Sequence, residues 1–85
     1  MDLDRLREFV ILSEERSIKT ASARLHVAPN VLSTRLTAFE RSLGATLFDR
    51  NAHRFELTEN GRTLLRNAKE LLDSYDKALS SLQSV

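Results

Sequence analysis

Asn30, Ser33, Thr34 and Thr37 recur at helical spacing and share one face of a segment that reads as a helix. Their side chains are short and polar. Asn can bond an adenine edge through two atoms, and Ser and Thr can bond several bases. The face therefore suits nucleobase edges, and a solvated helix face is the alternative. Pro29 and Val31 offer apolar contact of the kind a thymine methyl accepts. Arg35 is suited to guanine or phosphate, or to reaching back to Glu40 or Glu8. Ser17, Lys19 and Thr20 open an earlier helix, whose first amides and ammonium group suit a phosphate. Ordinary capping by Ser17 is compatible with that. Arg50, Asn51, His53 and Arg54 form a later polar run suited to a sugar-phosphate backbone, with Arg54 the better placed. Arg50 is open to pairing with Asp49 or a helix terminus instead.

Covalent and metal chemistry lack their parts. Without Cys there is no disulfide, zinc ribbon or thiolate nucleophile. His26 and His53 stand apart, so no metal site is expected. Ser33 has no nearby His–acid pair, and there is no glycine-rich phosphate loop or clustered acid–base set. Neither an enzyme nor a cofactor is expected. The longest apolar run, residues 9–12, falls far short of the ~20 residues of a membrane span. The opening Asp2, Asp4 and Arg5 do not read as a signal peptide, so a cytoplasmic setting is expected.

Charge is uneven along the chain. The net +1 conceals −3 in residues 1–15, +5 in residues 16–54 and −1 in residues 55–85. A basic middle is the footprint of a polyanion partner. At 85 residues, with 41% apolar residues, the chain makes one small core of marginal stability, which a partner subunit would reinforce.

Those groups need elements to hold them. Asp2 is placed to cap a first helix, about 3–15, with Leu6, Phe9 and Val10 on one face. Ser17 is placed to cap a second, about 18–25, with Ile18, Ala21 and Leu25 on one face. Pro29 suits the first turn of a third, about 29–43, because an N–H there has no helical partner anyway. Leu32, Leu36, Phe39 and Leu43 are its core stripe, and Gly44 follows as a residue free to take positive φ. Segments 46–48 and 55–57 read as short strands of a hairpin around the polar run. Thr58 caps a last helix, about 59–83, with Glu59 in its first turn. Gly61 costs that helix about 1 kcal/mol against Ala, which a close backbone approach would explain.

The last helix carries Leu64, Ala68, Leu71, Tyr75, Ala78 and Leu82 at alternating steps of four and three. Leu65, Leu72 and Leu79 add a second line at seven-residue steps. Such a helix runs roughly 37 Å, further than the preceding domain covers. Its far end is expected to meet a second copy of itself. Folding back across the domain, or a domain outside this chain, are the alternatives.

Residues 22–33 have the spacing of a helix-turn-helix. Ser22 is small where two helices cross, and His26 stands where a turn needs positive φ. Val27 and then Leu32 plug the core. That crossing makes the second helix protrude. With the hairpin, the arrangement becomes a winged helix.

Further residues carry a resemblance. They are Leu6-Arg7-Glu8-Phe9-Val10, Glu14-Glu15-Arg16-Ser17-Ile18 and Ala21-Ser22-Ala23-Arg24-Leu25-His26-Val27. Leu32-Ser33, Glu40, Leu43-Gly44-Ala45-Thr46-Leu47-Phe48-Asp49-Arg50 and Leu57-Thr58-Glu59-Asn60-Gly61 follow. From Leu3 to about Leu82 the chain resembles the DNA-binding domain of LysR-type transcriptional regulators. The resemblance implies a mainly α winged helix-turn-helix over 1–58, with three helices and a two-stranded wing, then a linker and dimerisation helix over 59–85. It implies that the third helix enters the major groove and that the wing, 46–57, meets the backbone or minor groove of double-stranded DNA. Ser17, Lys19, Thr20, Pro29, Asn30, Val31, Ser33, Thr34, Arg35, Thr37, Arg50, Asn51, His53 and Arg54 are then the expected DNA contacts.

The same resemblance implies a homodimer through Leu64, Leu65, Ala68, Leu71, Leu72, Tyr75, Ala78, Leu79 and Leu82, reading an interrupted palindrome, and a nucleoid-associated place in a bacterial cytoplasm. Full-length members add an effector domain that senses a small molecule and can form tetramers. This chain stops where the linker to that domain would begin. It departs from the family at Ala28-Pro29, where Ser-Gln is usual, and at Thr34, where Arg is frequent. Arg16 replaces a common Gly, and Ile18 a common Phe. These changes imply an unusual or less stringent target sequence on an intact scaffold. A protein-interaction module that offers its basic face to an acidic protein is the competing expectation.

Overall fold

The computed structural model describes residues 2–51 and 55–83, so the wing residues His53 and Arg54 lie outside it. In chain order it has α1 (Leu3–Glu15), α2 (Ile18–Leu25), α3 (Pro29–Leu43), β1 (Phe48–Asp49), β2 (Glu56–Leu57) and α4 (Glu59–Gln83). This is the expected mainly α winged helix-turn-helix with a long last helix.

Helix ends follow from single residues. The Asp2 carboxylate accepts from the Asp4 amide at 2.9 Å, satisfying an N–H that α1 itself cannot. Ser17 Oγ does the same for Thr20 at 3.0 Å, opening α2. Helix α2 ends at His26 with φ 59°, the positive value its turn position demanded. The Val27 amide then returns to the Ser22 carbonyl at 3.1 Å. Ser22 is buried at this crossing, its hydroxyl donating to the Lys19 carbonyl at 2.8 Å. Pro29 opens α3 with no side-chain cap from Ala28, and Gly44 closes it at φ 67°. Helix α1 ends at Arg16 with φ 61°, where a side chain costs about 1 kcal/mol relative to glycine.

One core joins every helix. Leu6, Phe9 and Leu12 of α1 meet Ala21 of α2, and Leu32, Leu36 and Phe39 of α3. Leu47, Phe48, Ala68 and Leu72 complete it. Phe48 packs against Phe9 at 5.6 Å between ring centroids and stacks on Phe55 at 4.4 Å. This anchors the wing to α1.

The strands differ from the expected 46–48 and 55–57. They pair antiparallel with Phe48 opposite Leu57 and Asp49 opposite Glu56. Pairing starts later because the Leu47 amide is already taken. Glu40 on α3 accepts it at 2.7 Å, and the Phe48 amide at 3.3 Å. The Leu47 carbonyl accepts from the Thr58 amide at 2.9 Å. Thr58 Oγ1 caps α4 by accepting from the Gly61 amide at 3.0 Å. Gly61 is where α4 crosses this joint. A Cβ there would stand 2.1 Å from the Leu47 carbonyl oxygen, so only glycine fits. The close approach that offsets its poor helix propensity is thus backbone against backbone.

Candidate nucleic-acid interface

Helix α3 is the centre of the site. Its inner stripe is buried, which turns Asn30, Thr34 and Thr37 outward, all exposed. Thr34 Oγ1 donates to the Asn30 carbonyl at 2.9 Å, and Thr37 Oγ1 to the Ser33 carbonyl at 3.1 Å. Each hydroxyl keeps its oxygen lone pairs for an outside donor. Pro29 is exposed and Val31 is 39% exposed, so both offer apolar surface beside the polar face. Ser33 is half-buried and sits at the rim.

The wing root comes beside this face. Arg50 Nη1 lies 3.4 Å from Ser33 Oγ, and its Nη2 lies 3.4 Å from Glu40 Oε1. Of the expected alternatives, pairing with Asp49 is not formed; Asp49 instead accepts from the Asn51 amide at 3.0 Å, closing a tight turn. Glu40 is thus the hub of the region. It holds two amides of the wing root and one guanidinium. A shallow concavity of about 400 Å³ lies between α3 and the wing, bordered by Thr37, Thr46, Arg50 and Asn51.

At the start of α2, Lys19 and Thr20 are exposed while Ser17 is half-buried. Capping and an exposed ammonium group coexist here. Arg24 at the other end of α2 is engaged by Glu14 and Glu15 of α1, at 2.8 and 3.0 Å. The Glu14 bond first, then that to Glu15, raises its pKa above the ordinary arginine value. Arg24 therefore ties α2 to α1. Sequence spacing did not show this pair, because the residues meet only after the chain turns at Arg16. Arg35, left between two roles by its sequence position, reaches back: Nη1 donates to Glu8 Oε2 at 2.8 Å.

The expected dimer residues divide. Ala68 and Leu72 are 1% and 9% exposed, filled by the chain's own core, with Leu64 and Leu65 partly buried against it. Leu71, Tyr75, Leu79 and Leu82 are 46%, 40%, 43% and 75% exposed, and Ala78 is exposed beside them. Arg7 of α1 braces α4 where this division occurs. It donates to Asp76 at 2.8 Å and sits 5.9 Å from the Tyr75 ring centre. Among the described residues, no group of three or more His, Asp or Glu could hold a metal, and no helix is long and apolar enough to cross a membrane.

The comparisons with known proteins agree with this geometry. Residues 3–62 match the model of the bacterial regulatory helix-turn-helix proteins of the lysR family. The chain is 37% identical over 86 residues to the HTH-type transcriptional regulator BsdA of Bacillus subtilis (strain 168), covering 100% of this chain and 30% of that protein. It is 39% identical over 83 residues to the SDS degradation transcriptional activation protein of Pseudomonas sp. (strain ATCC 19151), covering 98% and 27%. It thus spans under a third of the length of either relative. Among solved structures, the BenM_DBD/catB site 1 DNA complex is 31% identical with a TM-score of 0.92, covering 99% of this chain and 93% of that one. Full-length CbnR complexed with its target DNA is 26% identical with a TM-score of 0.89, covering 99% and 29%. In sequence and in fold, then, the chain belongs to the lysR family of bacterial regulatory helix-turn-helix proteins.

Proposed function

We propose that the chain is the DNA-binding region of a transcriptional regulator, a homodimer that reads an interrupted palindrome in double-stranded DNA. The observation that carries this is the outward face of α3. It is polar, free of charge at Asn30, Ser33, Thr34 and Thr37, and bordered by the Arg50 wing root. Uncharged hydrogen-bonding groups on a protruding helix suit base edges in a major groove. Arg50, Asn51 and the wing residues His53 and Arg54 serve the backbone or minor groove. Ser17, Lys19 and Thr20 grip a phosphate through side chains and the first amides of α2. Pro29 and Val31 bring apolar contact in place of a polar pair. The DNA complexes of BenM_DBD and CbnR, which share this fold, support the reading.

Homodimerisation is supported by the far half of α4. Leu71, Tyr75, Leu79 and Leu82, from the middle of the helix outward, are each 40% exposed or more. A second α4 covers them most economically, and a two-fold dimer presents two copies of α3 to two half-sites. Response to a small molecule, and assembly to a tetramer, belong to a further domain of the kind longer relatives have room for. The reading places the protein in the cytoplasm on the nucleoid.

Selection from a random duplex library, with sequencing of the bound pool, tests it. An enriched interrupted palindrome is the expected result and gives the half-site spacing. Replacing Ser33 and Thr34 by Ala should then weaken base discrimination while leaving most salt-dependent affinity. Absence of binding to any duplex at low salt would overturn the reading and favour an acidic protein partner.

A further inference from the structure

We propose that Glu8 is a positioning residue that withholds Arg35 from the phosphate backbone, so that α3 reads bases instead of adding unselective grip. This rests on the reading of α3 as a DNA-recognition helix. At 100° per residue, Arg35 is turned about 140° from Asn30 and about 60° from Leu32. It stands on the shoulder of the helix, and its long side chain can reach toward either side. It turns inward, and Glu8 Oε2 accepts from its Nη1 at 2.8 Å. The other oxygen of Glu8 accepts from Arg5 Nη1 at 2.8 Å. One carboxylate is therefore shared by two guanidinium groups, one from α1 and one from α3.

The hold is short as well as partly buried. The Glu8 side chain is 13% exposed, that of Arg5 26% and that of Arg35 37%. Phe9, Leu12, Leu36 and Phe39 line the seam beneath them. Attraction is stronger there than between groups fully in water. Arg50 is the contrast. Its partner Glu40 is already committed to two amides, and the 3.4 Å separation is a loose one. The two pairs are equally exposed, 37% and 13% against 36% and 13%, and what distinguishes them is length, 2.8 Å for Arg35 against 3.4 Å for Arg50.

The consequence is one of discrimination. An arginine on phosphate strengthens binding to every sequence alike, and so narrows the margin between target and random DNA. Arg5, Glu8 and Arg35 together carry +1. With Glu8 made neutral, the group carries +2 and no carboxylate is left to hold Arg35 back.

Glu8→Gln keeps the size and removes the charge. Binding to a random-sequence duplex and to the selected palindrome is measured across a range of salt. For random duplex, affinity at 0.1 M salt should rise about three- to tenfold per subunit, and the salt slope should steepen by about one phosphate contact per subunit. The ratio of target to random affinity should fall by a similar factor. Adding Arg35→Gln to Glu8→Gln should remove the whole increment. An unchanged slope in Glu8→Gln, or an increment that survives the loss of Arg35, overturns the proposal. If circular dichroism shows Glu8→Gln unfolded, the unaltered chain carries the test through the Arg35 Nε–H resonance. That resonance should stay in place when random duplex is added, and movement on binding overturns the proposal. If the unaltered chain retards no duplex, the DNA reading falls and takes this proposal with it; failure of the Glu8 role alone leaves that binding intact.

Discussion

The near and far halves of α4 carry the same apolar rhythm and meet different surroundings. In the near half, Gly61, Ala68 and Leu72 are buried against the wing root and α1. In the far half, Leu79 and Leu82 repeat the pattern and face outward. Periodicity specifies that a face has to be covered, and it does not name the cover. What separates the halves is how far the rest of the domain extends along the helix. Glycine and alanine at 61 and 68 let the chain's own backbone come close. Further along, Leu71 and Tyr75 are large and 46% and 40% exposed, and from α1 the Arg7 side chain reaches as far as Asp76.

Gly61→Ala should give the largest effect. Its methyl group collides with a backbone carbonyl, which cannot move aside as a side-chain tip can. A loss of about 3 kcal/mol is expected, read as a fall in the thermal unfolding midpoint. A near-normal midpoint would mean that α4 is not seated as described. Next comes Leu72→Ala, at about 2–3 kcal/mol for a buried leucine. Leu79→Asp, by contrast, should leave the unfolding of the isolated subunit within about 0.5 kcal/mol. In sedimentation it should shift a dimer to monomer. Equal unfolding losses at the two positions would erase the distinction between the halves.

A smaller change of opposite sign is expected at Arg16, which closes the helix on which the near half rests. Arg16→Gly relieves the left-handed conformation at φ 61° and should stabilise by about 0.5–1 kcal/mol in the same unfolding assay. Smallest is Asp76→Ala at the border between the halves. The bond from Asp76 holds the Arg7 pKa above its ordinary value. The Arg7 side of the pair is therefore fully charged through neutral pH, and on the basic side the contribution is lost as pH rises through the raised value. A slight drop in midpoint, the same across neutral pH and gone at high salt, is the expected outcome. No drop at either salt concentration would mean that the brace is mainly the Arg7 contact with Tyr75.

These residues also show where sequence reasoning stops. Asp2, Ser17, His26, Gly44 and Thr58 were legible because each meets a local demand, a free amide or a positive φ. Gly61 was legible as a close approach, but its neighbour Leu47 was not, since that contact forms only when the wing root folds onto α4. The strands came out shorter than alternation suggested because a carboxylate from α3 takes the Leu47 amide. Arg24 with Glu14 and Glu15, and Arg7 with Asp76, were invisible, because ion pairs depend on where distant segments land. Arg35 had two partners open to it, and tertiary packing chose Glu8. On the outward face of α3 the residue types were plain from the start, because burial of Leu32, Leu36 and Phe39 leaves only one orientation.

Leu47 is a joint without slack. Its amide is held by α3, its carbonyl receives the Thr58 amide and fills the space beside Gly61, and its side chain is 1% exposed in the core. A single peptide segment thus links the helix that faces outward to the helix that runs away from the domain. Mechanically, the two are rod and crank on one pin. A turn of α4 about its axis at Gly61 bears first on Leu47 and, through the Glu40 carboxylate, on α3. The contacts thus run unbroken from the long helix to the one that presents Asn30 and Thr34.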